Sequence, residues 1–178
     1  MGEIGDRHGQ AETLSNLGVN FGILDRPTEA LTYFRQALPI FRDIGDTYNE
    51  ARALGNIGDA LRRTRQYDAA ISHLRRALAM HSELGTESYS SARTLTTLGA
   101  VYQDNGDYEK AARYFRQAAS ISGRLHDRGG EADALSSLGD VLRILNRDAD
   151  AHRSWSRARA IYVDIGDPRV ADLDARLT

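Results

Sequence analysis

The sequence predicts an all-α protein, a right-handed superhelical α-solenoid of four helical hairpins followed by a C-terminal capping helix. Three observations predict it. The segments TLSNLG (13–18), ALGNIG (53–58), TLTTLG (94–99) and ALSSLG (134–139) align without gaps, so Gly18, Gly58, Gly99 and Gly139 recur at steps of 40, 41 and 40 residues. Each period holds two apolar stripes of helical spacing, L-x-x-[LI]-G and A-x-x-x-[FLW]-x-x-A. Glycine, asparagine, aspartate and proline punctuate the chain where the stripes stop.

The first helix is expected over 7–24, with TLSNLG as its apolar stripe. The second, 27–43, opens on Pro27, whose missing N–H costs nothing in a first turn, and carries Ala30, Phe34 and Ala37 at i, i+4 and i+7. Pro39 lies inside it and is expected to kink or shorten it, since it deletes an i→i−4 bond and clashes with the preceding turn. Gly45 suits the left-handed residue after a helix end, and Asp46 suits the N-cap of a third helix over 47–64, where Leu54, Ile57, Gly58 and Leu61 share one face. After a turn at Arg65-Gln66 the fourth helix, 67–83, carries Ala70, Leu74 and Ala77. Gly58 and Ala70 are expected to let the two backbones approach while Leu74 fills the space beside them.

Gly85 separates this hairpin from the fifth helix, 87–105, with Leu95, Leu98, Gly99 and Tyr102. The Asn105-Gly106-Asp107 turn leads into the sixth, 108–123, with Ala111, Phe115 and Ala118. The seventh, 128–145, holds ALSSLG, and a turn at Asn146-Arg147 precedes the eighth, 148–164, with Ala151, Trp155 and Ala158. Gly166, Asp167 and Pro168 introduce a ninth helix over 168–177, whose Val170, Leu173 and Leu177 form a stripe while Asp172, Asp174 and Arg176 keep its other side polar. It is expected to pack on the fourth hairpin and shield its open end; at the boundary of a longer array it would instead allow self-association with a second copy. The whole of 1–178 is expected to be one array, with units at about 7–43, 47–83, 87–123 and 128–164.

Composition narrows the function. Without cysteine there is no disulfide, thiolate metal site or cysteine nucleophile, and a net charge of −2 gives no general attraction to nucleic acid or anionic lipid. The single lysine, Lys110 in DYEKAA, is not in a phosphate-binding loop, and Gly129-Gly130 falls in a turn between units rather than after a strand. No apolar run approaches the roughly 20 residues that cross a bilayer, and MGEIGDRHGQ lacks the apolar core of a signal peptide, so a cytoplasmic protein is expected. The histidines His8, His73, His81, His126 and His152 are dispersed without metal-ligand spacing. No catalytic residue, metal or cofactor is expected.

The positions Leu95, Leu98, Gly99, Tyr102, Ala111, Phe115 and Ala118, matched in the other three units, resemble the tetratricopeptide repeat, and the resemblance covers about residues 7–164. The units are longer than the family's commonest form and are similar to the roughly 40-residue variety of kinesin light chains, spindle-orientation adaptors and actinobacterial regulators. The preference for arginine over lysine fits the bacterial group. The family's usual proline near the end of the second helix is absent, its place taken by Arg42, Ser82, Gly123 and Val163. Such a resemblance implies a stack of hairpins whose first helices line a concave groove for a protein or peptide.

On a helical wheel the residues opposite the core stripe are Glu12, Ser15, Asn16, Val19 and Gly22 in the first unit, and Arg52, Gly55, Asn56, Asp59, Arg62 and Arg63 in the second. The third gives Arg93, Thr96, Thr97, Ala100, Gln103 and Asp104, and the fourth Asp133, Ser136, Ser137, Asp140 and Arg143. Asn16 and Asn56 can donate to and accept from a peptide backbone at once, and Thr97 and Ser137 keep a polar group at the same place; the plain alternative is a solvated face. Arg52, Arg62, Arg63 and Arg93 outweigh Asp59 and Asp104, favouring a partner with acidic residues. Against that, Asp59 stands i, i+3 and i, i+4 from Arg62 and Arg63, the spacing of ordinary intrahelical pairs. The family's carboxylate clamp is not matched, because Ser15, Val19, Thr96 and Ala100 stand where it has basic and Asn residues.

Two functions are therefore expected to compete: a protein-interaction scaffold, and a sensor module of a bacterial transcription or signalling protein that binds a signal peptide or its own other domain. Nucleic-acid binding is disfavoured by the charge and by the lack of a basic stripe with stacking aromatics.

Overall fold

The computed structural model describes residues 2–85 and 87–178, with side chains from Asp6 onward. Among the described residues there are nine α-helices and no strand: α1 (Gly2–Ile23), α2 (Pro27–Asp43), α3 (Thr47–Arg63), α4 (Tyr67–Glu83), α5 (Tyr89–Asp104), α6 (Tyr108–Arg124), α7 (Arg128–Ile144), α8 (Asp148–Ile165) and α9 (Val170–Leu177). The helices form two compact units, residues 1–86 and 87–178. In the first, α1 packs on α2, α2 on α3 and α3 on α4; in the second, consecutive helices from α5 to α9 pack in the same way.

The recurring glycines explain the hairpins. A Cβ on Gly18 would lie 2.6 Å from the Phe34 ring, and one on Gly99 would lie 2.7 Å from the Phe115 ring. Gly58 and Gly139 are covered in the same way by Leu74 and Trp155. The glycine thus makes room for one large side chain sixteen residues on, and those four side chains are buried at 4 % exposure or less. What the glycine admits is this side chain, more than a close approach of backbones.

The turns are equally regular. Asp25, Gly45, Arg65, Gly85, Gly106, His126, Asn146 and Gly166 all have φ between 54° and 81°, one residue per turn from α1 to α9. After seven of them the next N–H donates back across the turn, as from Asp46 to the Phe41 carbonyl at 2.9 Å and from Asp107 to the Tyr102 carbonyl at 2.8 Å. This is the six-to-one bond that closes a helix end. Asp46, Asp107 and Asp127 cap the helices that follow by accepting from the N–H three residues on, and Ser88 and Ser91 cap α5 reciprocally.

Three local expectations need correction. Gly129-Gly130 lies in the first turn of α7 rather than in a turn between units, because Asp127 caps that helix by accepting the Gly130 N–H. Of the two effects expected of Pro39, shortening does not occur, since α2 keeps its expected span to Asp43; Pro39 and Arg35 are both exposed, so water can satisfy the carbonyl that the proline leaves without its N–H partner. The ninth helix begins at Val170 rather than 168, because the Asp167 carboxylate accepts the Arg169 N–H and holds Pro168 and Arg169 in a turn.

Candidate functional site

In the first unit α3 turns Leu54, Ile57, Gly58 and Leu61 into the core, which leaves Arg52, Asn56, Asp59 and Arg62 half-buried and Arg63 exposed on its other side. Asp59 accepts from both Arg62 and Arg63, at 3.2 Å each. Arg63 also reaches the α1–α2 turn, donating to the Gly22 carbonyl at 2.9 Å and lying 3.4 Å from Asp25. Arg62 and Arg63 therefore spend charge within the unit. Arg52 has no carboxylate within ion-pair distance among the described residues. On α1, Asn16 is exposed and Ser15 buried, so only the former can face a ligand.

In the second unit Arg93 is exposed on α5, and the Thr97 hydroxyl donates to its carbonyl at 3.0 Å. Ser137 does the same to the Asp133 carbonyl on α7, also at 3.0 Å. Both hydroxyls keep acceptor capacity while their protons serve the helix. Two arginines from the C-terminal segment reach other residues of the α7 face. Arg176 donates to Ser136 at 3.1 Å and pairs with Asp140 at 3.0 Å, while Arg169 pairs with Asp133 at 2.6 Å and lies over the Tyr162 ring. Asp140 also accepts from the Trp155 indole at 3.1 Å, and burial raises its carboxyl above the ordinary value despite Arg176 beside it. Arg143 stays exposed, its guanidinium 6.0 Å from the Trp155 ring. Asp140, Arg143, Trp155 and Arg176 border an open cavity of about 420 Å³.

The wheel put Ser15 opposite the core stripe, where the structure buries it, and it missed Arg169 and Arg176 as partners of Asp133, Ser136 and Asp140. Arg169 and Arg176 lie 36 and 40 residues from Asp133 and Ser136, one repeat away, and a register comparison between units is the signal that could have found them. Among the described residues no group of three His, Asp or Glu side chains is placed to hold a metal ion, and no helix is long and apolar enough to cross a membrane.

Tandem helical hairpins, each with a glycine beneath a large apolar side chain, define a helical-repeat protein of the kind that serves as an interaction module. The chain belongs to the tetratricopeptide repeat family, whose model matches residues 9–83, 49–124 and 90–162. Among solved structures, BtubC (BKLC) from P. vanneervenii is 21 % identical with a TM-score of 0.78, over 88 % of this chain and 64 % of that one. Aspartyl phosphate phosphatase F from Bacillus subtilis is 20 % identical with a TM-score of 0.87, over 94 % of this chain and 44 % of that one. A Rap protein complexed with competence and sporulation factor is 14 % identical with a TM-score of 0.81, over 94 % and 47 %. The chain thus spans about half to two thirds of their length, and the likeness is one of fold. No curated protein is significantly similar in sequence.

Proposed function

We propose that the chain is a non-catalytic protein-interaction scaffold that holds a peptide or helix of a partner on the exposed faces of its first helices. The observation that carries this is Arg52, half-buried one helical turn from Asn56 and without an ion-pair partner among the described residues, while Arg62 and Arg63 at the far end of α3 are bound to Asp59. A guanidinium left in that state is suited to a partner's carboxylate, which it can grip with two parallel bonds. Asn16 and Asn56 supply backbone contacts in the first unit, and Arg93, Thr97, Ser137, Asp140 and Arg143 are the corresponding residues of the second. The pairs that Arg169 and Arg176 make with Asp133 and Asp140 of α7 are an example of how such a face binds side chains of opposite charge. The partner is a protein or peptide carrying acidic residues, met in the cytoplasm, with neither nucleic acid nor membrane as ligand.

Capture of partners from the source organism tests this, with the wild type beside Arg52→Glu/Asn56→Ala and Arg93→Glu/Thr97→Ala. Each double variant is expected to lose at least about tenfold of the specific partner, equivalent to about 1.4 kcal/mol. Retention of every partner by variants with unchanged helical circular dichroism would remove the site from these faces.

A second function is favoured by the fold shared with the Rap protein solved with its factor, of which the chain spans 47 %. In it the chain is a regulatory sensor module that binds a signal peptide or another domain of its own protein. The complete open reading frame distinguishes the two, because a sensor requires an output domain in the same polypeptide.

A further inference from the structure

The second helices of unit 2 carry a feature that the first-helix faces do not use. Between α6 and α8 lies a cleft of about 480 Å³, floored by Leu135, Leu138 and Leu142 of α7. Its walls present Arg116 from α6 and Arg147, Arg153 and Arg157 from the start and length of α8. Asp150 is the one carboxylate lining it among the described residues. Asp150 pairs with Arg147 at 2.9 Å and with Arg153, and Arg157 reaches Glu131 at 3.2 Å. Arg116 has no carboxylate within ion-pair distance among the described residues. Four guanidiniums thus face two carboxylates over an apolar floor.

We propose that this cleft is a second binding surface, independent of the first-helix faces, that takes an acidic segment of a protein partner. Charge complementarity selects the sign. Length selects the kind: Arg147 to Arg157 spans ten residues, about 15 Å of helix at 1.5 Å per residue, too long for one phosphate and matched to carboxylates spaced over two or three turns. The leucine floor offers contact to apolar side chains between those carboxylates. No aromatic side chain lines the cleft, so a nucleic-acid strand would find charge without stacking. The pattern is specific to this hairpin. One repeat earlier the α8 positions 147, 153 and 157 are Asp107, Arg113 and Gln117, and two repeats earlier they are Gln66, Ser72 and Arg76.

The test uses the full chain and a fluorescein-labelled helical peptide with glutamate at every third or fourth position and leucine and alanine between, beside the same peptide with glutamine for glutamate. The glutamate peptide is expected to bind at low ionic strength and to move the backbone amide resonances of Arg116, Ser120, Arg153 and Ser154. The glutamine peptide, and the Arg116→Gln/Arg153→Gln variant against the glutamate peptide, are each expected to bind at least about tenfold more weakly, equivalent to about 1.4 kcal/mol. Arg52→Glu is expected to leave binding unchanged, which separates this cleft from the α3 face. Absence of binding, insensitivity to the wall variant with helicity intact, loss on Arg52→Glu, or displacement of the peptide by equimolar inorganic phosphate or a single-stranded oligonucleotide would each overturn the proposal.

Discussion

Two glycines inside helices do opposite things, and what surrounds each decides which. Gly9 on α1 has nothing within 4 Å of where a Cβ would stand, whereas Gly99 would place one 2.7 Å from the Phe115 ring. Replacing a helical glycine by alanine removes backbone entropy from the unfolded chain and gains about 0.5–1 kcal/mol where space exists. Gly9→Ala is therefore expected to raise the melting temperature. Gly99→Ala is expected to lower stability by about 1–3 kcal/mol, because Phe115 is 1 % exposed and has nowhere to move. Urea melts of both variants read the two signs; a neutral Gly99→Ala would mean that the ring relaxes and the hairpin is more loosely packed than drawn. The repeat made Gly99 legible in the sequence because its period fixes it, and the register that put Leu74 beside Gly58 puts Phe115 beside Gly99; what it did not show is that this side chain, and not the neighbouring backbone, takes up the space above the glycine.

At the scale of the element, the turns divide into four that use glycine in the left-handed region and four that do not. The glycines at 45, 85 and 166 were legible as helix ends, yet Asp25, Arg65, His126 and Asn146 occupy the same conformation with φ of 54° to 60°. Their positions were equivalent to those glycines all along, and only the repeat register reveals it, because residue type alone marks arginine or histidine as no turn former. For a side chain with a Cβ the left-handed region costs about 1–2 kcal/mol, part of which glycine would return in unfolded-state entropy. Arg65→Gly and His126→Gly are each expected to stabilise the chain by about 0.5–1 kcal/mol, additively, since they lie in different units. A fall in melting temperature for either would show that its side chain contributes more than its backbone conformation costs. The arginine-walled cleft was illegible for a related reason: outward positions of second helices look like a solvated surface until α6 and α8 are seen to flank the same leucines.

For the molecule as a whole, the 40-residue period carried the helix order and nearly every boundary, and what it could not carry is the use made of the last eight residues that continue it. The segment α9 fills the place of a ninth helix, and its Leu173 is 1 % exposed. The ion pairs of this C-terminal segment, Arg169 in the preceding turn with Asp133, Arg176 with Asp140 and Asp174 with Arg159, involve partly exposed groups and each adds little. The burial of one leucine dominates, at about 1.5–3 kcal/mol. Deleting 168–178 is therefore expected to lower the melting temperature by about 3–12 °C, taking about 2–4 °C per kcal/mol for a chain of this size. Leu173→Asp should reproduce most of that fall with every ion pair still available. The mass in solution separates the cap from an intermolecular contact: a cap leaves the deletion variant at the wild-type mass or above it, because Tyr162, at 2 % exposure under the Arg169 guanidinium, loses part of its cover. A mass that halves on deletion would make α9 a contact between copies, and an unchanged melting temperature would mean that it stabilises nothing. Calorimetry and light scattering on the same samples therefore decide whether α9 holds its own unit together or joins it to another.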